Sequence, residues 1–211
     1  MHGLSVGQAL NDLQVNAIRL SSGLSNKDAI YFLNHGVGRR VEMMRSSYHG
    51  LRSLVPFSRK DPLSSEEARD LCRDLNVIYI NIVGTLDNFA WCLLHQLGYT
   101  KELYPSKVGL FSDELTKDSS IAPLSTLKTE FGAWFKDLIK LRNPAAHQIP
   151  LSIPPSVLNF EEYNTSMPLC RRSWLKGGRR MTVSEDIGSM IKVVRRVEHF
   201  LVDGGHAKPR W

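Results

Sequence analysis

The chain has 211 residues, enough for one domain with a core of its own, and its 42% hydrophobic and 23% charged residues are ordinary for a globular protein. Its three cysteines (Cys72, Cys92 and Cys170) are odd in number, far apart and without CxxC spacing, so neither a disulfide framework nor a zinc site follows from them, and a reducing compartment is expected. The net charge of +6 is compatible with a polyanionic partner without requiring one.

A first short helix is expected at about Ala9 to Leu20. From Ile30 to Leu51 the apolar positions Ile30, Leu33, Val37, Val41, Met44, Tyr48 and Leu51 step by three and four, the signature of a helix with one buried stripe. Ser58 to Ser64 is a polar break, after which Ser64 or Ser65 can cap a new helix with Glu66 and Glu67 in its first turn. That helix, about Glu66 to Leu97, carries one stripe through Leu75, Ile78, Ile82, Leu86, Phe89, Leu93 and Leu97. A second stripe runs through Ile80, Val83, Ala90 and Leu94. Two adjoining stripes predict a helix in the middle of a bundle, and Gly98 supplies its C-cap.

Tyr104 to Ser120 reads as a loop. A fourth helix is expected at about Leu124 to Arg142. Asn143-Pro144 is then expected to interrupt it, because a residue before proline avoids the α region and proline suits the first turn of a new segment. Lys176-Gly177-Gly178-Arg179 has the composition of a hairpin turn. A last helix from Val183 or Ser184 to about Leu201 follows. The sum is an all-α, up-and-down bundle of about five helices forming a single domain, with a short basic hairpin-like insertion before the last helix. Met1 to Ser5 shows no secretory signal, and no uninterrupted apolar run approaches the roughly 20 residues of a membrane helix. A cytoplasmic protein away from membranes is the expectation.

The chemistry concentrates in Arg142-Asn143-Pro144-Ala145-Ala146-His147. Arginine supplies a permanent cation that fits phosphate, histidine a proton acceptor or donor near neutral pH, and asparagine can orient either. On an unbroken helix Arg142 and His147 would point about 140° apart, so a kink at Asn143-Pro144 is expected to bring them onto one surface. Asp87 lies among Val83, Ala90, Trp91 and Leu94 on the central helix. A carboxylate there must be paired or open to a cleft, either with Arg142 or with an arginine elsewhere in the core. On the same helix, Asn81, Gly84, Asn88, Trp91 and His95 form a mostly polar row that reads as a solvent face or, with Trp91 in it, as a docking surface such as a dimer cleft. Arg171, Arg172, Trp174, Lys176, Arg179 and Arg180 mix cations with an aromatic ring, a composition that suits a nucleic-acid strand. The sequence offers no Walker loop, no GxGxxG and no His/Cys metal cluster, so no cofactor and no metal is expected.

The hexapeptide from Arg142 to His147 resembles the R-N-x-x-x-H form of the Rx4–6H motif of HEPN (higher eukaryotes and prokaryotes nucleotide-binding) domains. Its position on a late bundle helix is also similar to that family, and the resemblance covers roughly residues 27 to 203. It implies a metal-independent endoribonuclease acting as a homodimer, with two motifs facing across a shared cleft. Many members are toxins or effectors in bacterial immunity, which implies RNA as substrate and an antitoxin or regulatory protein as a further partner. Carried onto this chain, His147 would move the proton of the 2′-hydroxyl or leaving oxygen, Arg142 would stabilise the phosphate, and Asn143 would position the scissile group or the His147 ring. Pro144 is unusual at its position. Other members have lost catalysis, so a non-catalytic module binding a nucleotide, nucleic acid or partner protein is the alternative.

Overall fold

The computed structural model of the chain describes residues 6–56, 61, 63–99, 103–118, 121, 123–147, 175–176, 179–180 and 183–204. Helix α1 (Val6–Ser21) is followed by α2 (Lys27–Tyr31), which opens on Asn26, whose side chain accepts from the amides of Asp28 and Ala29. A π-helical turn, Phe32–Val37, joins α2 without a break to α3 (Gly38–Leu54). The expected helix from Ile30 to Leu51 is therefore present, longer at both ends, with one widened turn inside it. Leu33, Val37, Val41, Met44 and Leu51 of the predicted stripe are fully buried.

Helix α4 (Ser65–Gln96) is the centre of the bundle. Ser64 caps it: its hydroxyl accepts from the Glu67 amide while the Glu67 carboxylate accepts from the Ser64 amide, a reciprocal pair that satisfies two end donors. At the other end Gly98 takes a φ of +62°, the left-handed conformation that glycine adopts at little cost. Leu75, Ile78, Ile82, Leu86, Phe89 and Leu93 are buried, and so are Val83, Ala90 and Leu94 of the second stripe. By length and composition α4 is apolar enough to cross a membrane, but two thirds of its most apolar window, 67%, is buried inside the bundle. That burial and its polar Asn81, Asp87 and Asn88 fit the core helix of a globular protein.

The stretch expected as a loop contains a short 3-10 turn, Pro105–Lys107, and one helical turn, α5 (Asp113–Thr116), capped by the Ser112 hydroxyl. Helix α6 (Pro123–His147) follows, and after it two-residue strands β1 (Leu175–Lys176) and β2 (Arg179–Arg180) pair antiparallel, Leu175 opposite Arg180. Helix α7 (Val183–Gly204) closes the chain of elements. α4 packs on α2, α3, α6 and α7, and α1 packs on α3 and α7, which makes an all-α bundle around the central helix. The predicted hairpin pairing is present; its Gly177 and Gly178 lie outside the described residues.

Two expectations fail. α6 runs unbroken through Asn143 and Pro144 to His147. A proline there removes only the one amide that would bond the Lys140 carbonyl, three residues from the end of a 25-residue helix held down by buried Leu138 and Leu141. One lost bond so near the C-terminus does not outweigh that packing. The polar row of α4 is also neither a solvent face nor a free docking surface. Phe32 stacks on Trp91 (centroids 5.5 Å apart) and on His95 (5.4 Å), and the α2–α3 run lies along the row. Gly36 faces the Asn88 side chain with no room for a methyl group, which is why two helices can approach so closely there.

Candidate active site

Arg142 and His147 do meet, although the helix between them is continuous. Arg142 Nη1 lies 3.1 Å from His147 Nε2 and donates to Asn143 Oδ1 at 3.2 Å. Five residues advance the helix by about 7.5 Å and turn it by about 140°. The long arginine stem spans that gap, and helical side chains lean toward the N-terminus, which tilts His147 back toward the guanidinium. Because Arg142 can only donate, the contact requires the lone pair of His147 at Nε2 and so a neutral ring with its proton on Nδ1. His147 and Asn143 are exposed, Arg142 is half-buried, and its Nε is sealed from solvent with no hydrogen-bond partner. The guanidinium thus has a buried base, with Nη1 of its fork directed at Asn143 and His147.

Beneath this motif stands Asp87 of α4. Burial pushes its carboxyl up to about 6, against the opposing pull of Arg142 and then Arg40. Both arginines act on it through space; neither makes an ion pair with it at 4 Å or less among the described residues. Gly109, before α5, brings its Cα against Asp87: a methyl group there would sit 3.2 Å from Oδ1. Neither alternative expected from the sequence, a pair with Arg142 or with an arginine elsewhere in the core, is formed as a contact; both Arg142 and Arg40 act on Asp87 only from a distance.

Arg40 is the residue that sequence reasoning missed. It projects from α3 across the polar row of α4, where its Nη1 donates to Asn81 Oδ1 at 3.1 Å. Its guanidinium lies flat on Gly84, in the space that any Cβ there would fill. Asn81 is itself aimed by its amide, which donates to the Val77 carbonyl at 2.8 Å. The visible signals were a glycine and an asparagine in the middle of a 32-residue core helix, both poor choices for helix stability.

The basic segment contributes less definition. Arg171, Arg172 and Trp174 lie outside the described residues, and of Lys176, Arg179 and Arg180 only the strand pairing is described. Among the described residues no group of three or more His, Cys, Asp or Glu side chains is assembled to hold a metal ion. Comparison of the chain with protein-family models, with curated proteins and with solved structures gave no match. The surroundings of Arg142 thus bring together one cation and one imidazole in contact, an amide beside them, and a buried carboxyl whose pKa burial raises to about 6.

Proposed function

We propose that the protein is a HEPN-like endoribonuclease that works as a homodimer and cuts single-stranded or looped RNA by attack of the substrate's own 2′-hydroxyl. The observation that carries this reading is the 3.1 Å contact between Arg142 Nη1 and His147 Nε2 in an exposed position. A phosphate displacing that contact would take the Arg142 fork and leave the Nε2 lone pair free to accept the 2′-hydroxyl proton. The 2′-oxygen then bonds to phosphorus, the bond to the 5′-oxygen breaks, and that oxygen takes up a proton. The products are a 2′,3′-cyclic phosphate and a 5′-hydroxyl. Arg142 stabilises the charge that gathers on the phosphoryl oxygens, and Asn143 holds the guanidinium in place. A second copy of the motif across a two-fold axis would supply a second imidazole for the leaving oxygen. A toxin or effector role in bacterial defence, restrained by a partner protein, is the biological setting that the resemblance implies.

The test is a labelled RNA incubated with wild type and with His147→Ala in EDTA. Wild type is expected to cut RNA and spare DNA, leaving cyclic phosphate ends, and His147→Ala to be inert with unchanged helicity. Absence of cutting by wild type across varied RNAs, or undiminished cutting by His147→Ala, hands the case to a non-catalytic binding module.

A further inference from the structure

The surroundings of Asp87 hold more positive charge than that one carboxyl neutralises. Arg142 and Arg40 carry two cations that no conformational change or ordinary pH removes. Asp87 is the carboxylate that acts on both, and it supplies at most one negative charge. Among the described residues, the hydrogen-bond partner of Arg40 is the neutral amide of Asn81, and no carboxylate lies within 4 Å of it. A guanidinium held in place by an uncharged acceptor, over a glycine that makes room for it, is oriented without being neutralised. With His147 neutral, the sum over Arg40, Asp87 and Arg142 is one positive charge. A single phosphodiester cancels it.

We propose that Arg40 is a second phosphate-binding residue beside this motif, holding the RNA backbone together with Arg142. This rests on the reading of the motif as an RNA site but assigns no chemistry to Arg40: it contacts substrate and moves no proton. Gly84 and Asn81 are its positioning residues. The glycine sets where the guanidinium lies, and the asparagine sets which of its nitrogens remain free to donate. The polar row of α4 thereby gains a purpose that helix propensity does not explain.

The experiment uses the uncleaving His147→Ala protein, a short labelled oligouridylate and fluorescence anisotropy over a series of salt concentrations. Adding Arg40→Ala is expected to weaken binding about tenfold and to reduce the salt slope by about one phosphate contact. Gly84→Ala keeps every charge and adds a better helix former, yet its methyl group displaces the Arg40 guanidinium, so it should weaken binding to a similar extent. Arg45→Ala is the control, since Arg45 is held by Asn11 at 3.0 Å, away from α4, and should change nothing. Affinity and slope unchanged in both Arg40→Ala and Gly84→Ala overturn the proposal, even if wild type proves to be a ribonuclease. Loss of binding in both, with no cleavage by wild type, sustains the phosphate site and removes the ribonuclease reading instead.

Discussion

Arg142 and His147 stand five residues apart on one continuous helix, and Arg142 Nη1 nevertheless lies 3.1 Å from His147 Nε2. If the site is the proposed ribonuclease centre, the closed pair has a functional consequence: a phosphate would have to compete for the guanidinium before the imidazole lone pair could act as a base. On that reading Arg142 would shield the base in the free protein and become the anion's ligand with RNA bound.

Arg142→Ala is expected to lower kcat by about 100-fold or more, the usual cost of removing one donor to developing charge. Asn143→Ala should cost only several-fold, because Asn143 accepts one hydrogen bond from the Arg142 guanidinium and the contact to His147 survives without it. Single-turnover cleavage of a defined RNA distinguishes the two magnitudes. Equal losses would mean that Asn143 touches substrate directly.

Stability should fall as pH rises from about 4 to about 7. Burial raises Asp87 and Asp186 to about 6 and Glu198 to about 7 in the folded chain. Unfolded carboxyls titrate near 4. A raised carboxyl stabilises the fold in full below its unfolded pKa, and the contribution is lost as pH climbs through the folded value. The window is therefore pH 4 to 7, and the slope within it is negative. Urea unfolding at several pH values measures it, and Asp87→Asn should flatten the curve by removing one of the three titrations.

Asp186, in the first turn of α7, accepts from the Trp134 indole at 2.9 Å and from the Tyr79 hydroxyl at 3.3 Å. It joins α7 to α6 and α4 through one carboxyl. Asp186→Ala removes the acceptor of both hydrogen bonds and should destabilise the protein by about 2–4 kcal/mol. The loss is readable as a lower urea midpoint with an unchanged m-value, accompanied by a shift of Trp134 fluorescence in the folded state. Unaltered emission would mean that the indole finds another acceptor.

The basic segment before α7 is expected to bind RNA and do no chemistry. Replacing Arg171, Arg172, Arg179 and Arg180 with Ala should weaken RNA binding and flatten its dependence on salt, while the single-turnover rate at saturating RNA stays within a few-fold of wild type. Binding that is unchanged at every salt concentration would reduce the segment to a solvated surface.

A strictly monomeric mass at micromolar concentration, with cleavage retained, would remove the homodimer from the proposal. Light scattering decides it.

The sequence determined the all-α class, the order of the main helices, the cap at Ser64, the glycine stop at Gly98 and the buried stripes of α3 and α4. Each depends on residues a few positions apart, where the 3.6-residue period and end capping act without help from the rest of the chain. It also singled out Arg142, His147 and Asp87, because charged groups at core-like or helix-end positions need a reason to be there. It misjudged Pro144, since a local preference against the helix is small beside the packing of Leu138 and Leu141, which sequence alone does not register. It misread the row from Asn81 to His95 as open, because its cover comes from Phe32, Gly36 and Arg40, more than 40 residues earlier. The seat of Arg40 on Gly84, the shared pull of Arg40 and Arg142 on Asp87, and the Tyr79–Asp186–Trp134 link were decided by tertiary structure. Which side chains meet across helices depends on their relative rotation and axial register, and those are set by the packing of the whole core.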